Sequence, residues 1–460
     1  MYFTKQIQIG KKHPMFSYFD DLCHKANNLY NTTCYYMRQF ATAKYAFEEY
    51  KPLFANQFEI LNLVNTVTEG TKFKPADTSK WLNYSQLDYI LKVTNNPDYY
   101  GLPTQCNQQI IKNVMNDFKS YFESIKQYKT KPSAFTGRPR MPRYKKSGDV
   151  CTTTLTNQVC VIKKDGFVKF PYTQQMLNIG RTKLVGRLKS VRVKPSHCGF
   201  VVDIVTEEVI DGEIILTDNH NEELLTKYKD KTILSERALA IDLGLSNLCT
   251  VVNNFGERPF IVNGRVVKSV NQFYNKQIAK YQSIAKTING LDYTKRMHAM
   301  TKNRNNRIKD YMHKTTAYIV KYVIEHNVQL VIIGHNNGQK DEISLGHKVN
   351  QEFVQIPFNM LIGQLQYKLN KHGIEFIVVE ESYTSKSSFE HNDPLPMYGD
   401  DVDNSIFTGK RLTRGLYQTN GKRVINADVN GAANMFRKVC PTIDFRGCCI
   451  LHNPVRITLY

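Results

Sequence analysis

The sequence lacks any apolar run of the ~18–20 residues that a membrane-spanning helix needs. Its longest apolar stretches, such as Val328–Ile333 and Phe376–Val379, are of strand length. The amino-terminal MYFTKQIQIGKK has no apolar signal core, so an intracellular protein is expected, cytoplasmic in a bacterium, with nuclear targeting open in a eukaryotic or viral host. None of the ten cysteines forms a CxxC pair, and Cys448–Cys449 lacks zinc-site spacing, so no zinc is predicted and reduced, mostly buried thiols are expected. Acidic residues are in deficit: 41 Asp+Glu face 62 Lys+Arg, a net charge of +21. Such a surplus repels itself unless a polyanion is the partner, and nucleic acid is the usual one. A basic enzyme with a solvated surface is the alternative. Although there is one tryptophan, 24 Phe and 27 Tyr are spread over 460 residues, which excludes a disordered chain and leaves room for two to four domains.

The sequence divides near residue 236. A strand-like stretch (Phe3–Ile9) leads into a helical region from about Phe16 to Tyr50. A second helix is predicted from Pro103 to about Tyr128, capped by Thr104, with an apolar packing stripe of Ile110, Ile111, Val114, Met115, Phe118, Phe122 and Ile125. Composition then shifts: between Arg138 and Lys146, five of nine residues are basic (Arg138, Arg140, Arg143, Lys145, Lys146). Pro139 and Pro142 keep this segment extended, and the interleaved Tyr144 suits it to a phosphate backbone, although a solvated linker has the same look. From Asp149 to Glu236, short β-branched runs separated by turn residues predict a small antiparallel barrel.

After residue 236 strands and helices alternate. AIDLGLSNLCTVV reads as a buried strand entering a hairpin, followed by a long helical stretch from about Ser269 to His326 that masses Lys295, Arg296, Lys302, Arg304, Arg307 and Lys309. A strand at Gln329–Ile333, a helix at Asn359–His372, a strand at Glu375–Glu380 and a last helix from about Asn426 to Val439 complete the order expected of a ribonuclease-H-like α/β fold. Asp242 lies inside the first apolar strand, where a carboxylate is costly unless a cation neutralises it. Gly244 leaves the backbone open to a phosphate. Asp428 opens the last helix, a position that also suits a simple cap. Gly431, Ala432 and Ala433 would let that helix sit close on the sheet and carry Asp428 toward the first strand. His313, His335, His347 and His391 lack partners at ligand spacing, and Thr384 and Ser385 lack a nearby His/Asp pair.

AIDLGLSNL, QLVIIGHN, EESYTSK and INADVNGAANMFRKV, in that order, resemble the RuvC-like nuclease of the TnpB family: transposon-encoded, RNA-guided DNA endonucleases related to Fanzor proteins and type V CRISPR effectors. LPTQCNQQIIKNVMNDF and GRPRMPRYK extend the resemblance to the amino-terminal half. The resemblance implies a multidomain α+β chain. A wedge-like β-barrel (1–15 and 130–236) would carry an inserted helical recognition domain (16–129), before a RuvC-like nuclease domain (237–440) and a tail (441–460). It also implies a structured guide RNA, double-stranded target DNA, and two Mg²⁺ held by three carboxylates.

Two departures from the family pattern matter. Gly334 occupies the position of the family's middle-strand glutamate, and EES supplies Glu380 and Glu381 as candidates for a relocated one. Successive strand residues face opposite ways, so one of the two can reach the site; Glu381 is preferred because its offset from Thr384 resembles that of the relocated glutamate in the family, with Glu380 as substitute. The site is then expected to be Asp242, Glu381 and Asp428. The family's two CxxC pairs are also missing. In their place, residues 385–424 carry an Asn420-Gly421 turn signal and the cations Lys410, Arg411, Arg414, Lys422 and Arg423, expected to replace the zinc ribbon without metal. Arg138–Lys146, Lys302, Arg304, Arg307, Lys410, Arg411 and Arg414 are the expected nucleic-acid contacts. The alternatives are a non-cleaving RNA-guided DNA-binding repressor and, third, a DNA transposase.

Overall fold

The computed structural model describes residues 2–163, 166–180, 186–208, 220–229, 236–335, 355–397, 399–413, 415–441 and 453–459. They form two compact units, 1–209 and 210–460. No helix among the described residues is long and apolar enough to cross a membrane.

The first unit begins with β1 (Tyr2–Gly10), continues through α1 (Phe16–Glu48), α2 (Ala55–Thr68), α3 (Tyr84–Val93), α4 (Pro97–Tyr100) and α5 (Thr104–Thr130), and returns to strands. These are β2 (Thr153–Thr156), β3 (Val161–Ile162), β4 (Phe167–Lys169), β5 (Met176–Asn178), β6 (Arg187–Ser196) and β7 (Gly199–Glu207). The first strand pairs along its whole length with the last, from Tyr2 opposite Glu207 to Gly10 opposite Gly199, so all five helices are inserted into one sheet of order β1-β7-β6-β2. A smaller antiparallel sheet holds β3-β4-β5. Neither sheet closes into the expected barrel among the described residues. Helices supply the burial that closure would have provided: Phe19 of α1 meets Phe170 edge-on at 5.2 Å and Phe200 at 6.5 Å, and Ile110, Ile111, Val114 and Phe118 of α5 join the same core. Thr104 is the first residue of α5 and makes no capping bond; Pro103 precedes it.

The second unit contains α6 (His220–Lys229), β8 (Ala238–Leu243), β9 (Asn247–Asn253), β10 (Phe260–Asn263), α7 (Arg265–Asn289), α8 (Lys295–Glu325), β11 (Leu330–Gly334), α9 (Phe358–Asn370) and β12 (Glu375–Val379). There follow β13 (Lys410–Thr413), β14 (Leu416–Gln418), β15 (Val424–Asn426), α10 (Ala427–Val439) and β16 (Val455–Ile457). Six strands build one sheet in the order β12-β11-β8-β9-β10-β16. The hairpin strands are antiparallel, whereas β11 runs parallel to β8 and β12 parallel to β11. Strands covered on both faces need continuous apolar sequence, which ALAI, LVII and FIVV supply. Leu239, Ile241, Val331, Ile333 and Phe376 face a core shared with α8 and α9. Ala238, Ala240, Ile332, Ile377 and Val379 face Val429, Ala432, Ala433, Met435 and Phe436 of α10, with Leu224 and Tyr228 of α6.

The single long helix expected near Ser269–His326 is two. Gly290 takes a left-handed conformation (φ +61°) that ends α7, and the Thr294 hydroxyl accepts from Met297 N to start α8. Gly363, inside α9, has nothing within 4 Å of where a Cβ would stand. Alanine should therefore act oppositely at these positions. Gly290→Ala should cost about 1 kcal/mol and Gly363→Ala should stabilise by about 0.5–1 kcal/mol, read by urea denaturation.

Candidate active site

The register of the central strands brings distant residues into one row. Ile241 pairs with Ile333, and one residue further Gly334 pairs with Val379, so Asp242 and Gly334 stand at the carboxyl end of their strands. Side chains alternate along a strand. Asp242 and Gly334 thus share the sheet face of Ala240 and Ile332, the face covered by α10. Glu380 and Glu381 lie just past the end of β12 rather than within it.

The two glutamates part there. Glu380 accepts from Lys438 Nζ at 2.6 Å and from the backbone N–H of Ser382 at 2.8 Å, which commits both carboxylate oxygens. Glu381 turns toward Asp242. A Cβ added to Gly334 would stand 3.2 Å from Glu381 Oε2 and overlap the Met435 thioether, so the space a side chain at 334 would take is filled by Met435 and the Glu381 carboxylate. On the helix, a Cβ on Gly431 would meet Asp242 Oδ2 at 3.3 Å; glycine allows α10 its close seat. A Cβ on Gly244 would stand 2.6 Å from Asn247 O, so glycine lets the hairpin close at this position.

Asn426 caps α10 by accepting from the N–H groups of Asp428 and Val429. Asp428, relieved of capping, accepts instead from Asn247 Nδ2 at 2.6 Å, and Arg411 Nη2 approaches its other oxygen at 3.6 Å. Sequence reasoning did not single out Asn247 or Asn426; an asparagine just before NADVNG's aspartate was the available signal for the second. Asp242 keeps some accessible surface but lies deep among protein atoms. Burial, and then the charges of Glu381 and Asp428, push its carboxyl well above the ordinary range, and Arg411 offsets this only in part.

Among the described residues no three His, Cys, Asp or Glu side chains converge closely enough to ligate a cation as they stand. The donor chemistry nevertheless fits a hard divalent ion, being three carboxylates whose mutual repulsion a cation would relieve.

The expected nucleic-acid contacts fall into distinct environments. Asn27, Asn31 and Arg38 of α1 hold the backbone of Pro142, Lys145 and Lys146, which lays the extended basic segment along that helix. Arg138, Arg140, Arg143, Tyr144 and Lys146 are exposed. Lys145 turns inward, its ammonium 4.1 Å from the Tyr30 ring centroid and donating to Cys151 Sγ. Arg304 is committed to structure, bonding Asn271, Asn305 and Gln355 O. Arg307 is exposed and Lys302 half-buried; Lys410 and Arg411 are exposed on β13, and Arg414 lies outside the described residues. The expected hairpin at Asn420-Gly421 joins β14 to β15, with Lys422 as its left-handed residue.

The raised Asp242 carboxyl has a pH consequence. The folded chain keeps this proton to a higher pH than the unfolded chain, so without metal stability is lost as pH rises from the ordinary aspartate range through the raised value. Asp242→Asn should raise Tm in EDTA by a few degrees at about pH 8 and converge on the parent only at about pH 4 and below, read by differential scanning fluorimetry.

Residues 219–339 match the OrfB_IS605 family, described as a probable transposase, and residues 358–435 match the Cas12f1-like TNB domain. No curated protein matches the chain. Among solved structures, a Cas12f1–sgRNA–target DNA complex is similar at 12% identity over 95% of this chain and 98% of that one, TM-score 0.30. The mini-RNA-guided endonuclease CRISPR-Cas_phi3 aligns at 8% identity over 95% and 92%, TM-score 0.42. C2c1 of Alicyclobacillus acidoterrestris with single-guide RNA aligns at 9% identity over 87% and 69%, TM-score 0.34. The TnpB resemblance carried by the motifs is thus matched by two family models, both falling in the second unit.

Proposed function

We propose that this chain is an RNA-guided DNA endonuclease of TnpB type, associated with a transposable element, whose second unit is a ribonuclease-H-like, RuvC-type nuclease domain. The carrying observation is that Asp242, Glu381 and Asp428, spread over 187 residues of sequence, gather at the end of one sheet: Asp242 Oδ2 faces Gly431 of α10, Glu381 Oε2 faces Gly334 of the neighbouring strand, and Asp428 is held by Asn247 of β9. The strand order β10-β9-β8-β11-β12, with a hairpin on one side and two parallel strands on the other, supports the domain reading. The match of residues 219–339 supports the transposon association.

The three carboxylates would hold Mg²⁺, which when bound neutralises them, activates a water for attack on a phosphodiester and stabilises the leaving 3′ oxygen. Asn247 orients Asp428, and Arg411 tempers the negative charge from an exposed hairpin. A guide RNA pairing with double-stranded target DNA would supply specificity, while the chain grips the backbone by charge. Arg138, Arg140, Arg143, Tyr144, Lys146, Lys302, Arg307, Lys410 and Arg411 remain the candidate contacts; the inward Lys145 and the committed Arg304 are withdrawn. The first unit would hold the wedge and recognition parts, and residues 385–424 would stand in for a zinc ribbon without metal.

The test is Mg²⁺-dependent cleavage of plasmid DNA by the full chain with its copurified RNA. Asp242→Ala, Asp428→Ala and Glu381→Ala should each lose at least ~10³-fold in rate at any Mg²⁺ concentration while retaining RNA. RNA-dependent DNA binding with no cutting by the parent would favour the repressor reading instead. Packing at Gly334 yields a sharper expectation. Returning a glutamate to the end of β11, Gly334→Glu in the Glu381→Ala background, should not restore cleavage because Met435 fills that space, whereas adding Met435→Ala should restore part of it.

A further inference from the structure

Helix α10 packs its apolar side on the sheet, yet it also buries polar residues. Asn430 and Asn434 are wholly buried and Lys438 is 11% exposed at its side chain. They are spaced i, i+4, i+8, which places them on one stripe about one turn apart. All three bond a single segment, Glu380–Phe389. Lys438 Nζ donates to Glu380 Oε2 at 2.6 Å. Asn434 Nδ2 donates to Thr384 O and Ser387 O, each at 2.8 Å. Asn430 Nδ2 donates to Ser387 O at 2.8 Å, and its Oδ1 accepts from Phe389 N at 3.0 Å. The segment is thus zipped antiparallel along the helix.

Glu381 lies between the first two anchors. On one side Glu380 is pinned by Lys438 and by the Ser382 N–H. On the other, Thr384, whose carbonyl is held by Asn434, donates from Oγ1 to the Glu381 carbonyl at 2.8 Å. Arg437 sets the Asn434 amide by donating to its Oδ1 at 3.0 Å. The backbone carrying the relocated glutamate is therefore fixed on both sides by the same helix that delivers Asp428.

We propose that Lys438, with Glu380 and Asn434, forms a positioning device that aims the Glu381 carboxylate over Gly334 toward Asp242. A glutamate moved off its strand loses the ladder that would have fixed its backbone, and this polar stripe supplies the substitute. The inference rests on the proposed cation site. Lys438 touches no reacting atom; it acts through Glu381.

The experiment measures Mn²⁺ binding to the full chain by electron paramagnetic resonance, Tm in EDTA, and the Mg²⁺ dependence of cleavage. Lys438→Met should weaken Mn²⁺ binding about tenfold and shift half-saturating Mg²⁺ upward by the same factor, with cleavage restored at high Mg²⁺. Lys438→Arg should stay near the parent. The double variant Glu380→Met/Lys438→Met removes the pair without leaving a lone charge, so it should keep the fold and show the same tenfold loss. Parent-like Mn²⁺ affinity in both Met variants, beside a loss of binding in Asp242→Asn, would overturn the positioning role alone. Parent-like affinity in Asp242→Asn as well would overturn the cation site, and the positioning role with it.

Discussion

A carboxylate at the end of a two-sided sheet sets the terms for everything around it. Asp242 is surrounded by protein, close to two further carboxylates, and held toward its neutral form by burial and repulsion. A protein gains no stability from such an arrangement, and under the proposed function a divalent cation would relieve it. The surrounding structure answers that constraint locally. Gly431 lets α10 come within contact of Asp242, Asn247 fixes Asp428, and Arg411 brings a partial counter-charge.

The proposed relocation of the glutamate fits the same geometry. At the end of β11, a side chain on Gly334 would compete with Met435 for one volume. Filling that volume with a thioether from the helix and a carboxylate from the next strand end keeps the core closed while moving the acid one strand outward. The cost is that Glu381 sits beyond the regular hydrogen bonding of β12, and the buried asparagines and lysine of α10 take over the task of fixing it. One helix therefore has two jobs on two faces: apolar packing on the sheet, and polar capture of an irregular segment.

Charge along the chain has to be sorted by environment. Lys145 and Arg304 belong to the same basic runs as their neighbours, yet one is stacked on Tyr30 and bonded to Cys151, and the other ties α7 to α8 and Gln355. Exposed Arg138, Arg140 and Arg143, laid along α1 by Asn31 and Arg38, are different in kind. Basic composition points to a polyanion; which cations can meet it depends on what each already holds.

Apolar runs, turn residues and spacing were enough to locate β8, β10, β11 and β12, the Asn420-Gly421 hairpin and the two aspartates, though not β16 in the expected tail, because these signals are local: a buried strand must be apolar in sequence, and a tight turn needs residues that tolerate it. That only one of the adjacent Glu380 and Glu381 could reach the site was likewise readable. What needed the tertiary structure was everything set by non-local occupancy. The open sheets where a barrel was expected, the diversion of Glu380 to Lys438, and the Met435 thioether beside Gly334 all depend on which distant atoms already fill a space, whereas the left-handed Gly290 that ends α7 is a local signal that was passed over. A one-dimensional pattern records what each residue prefers, and only packing in three dimensions decides between two neighbours that prefer the same thing.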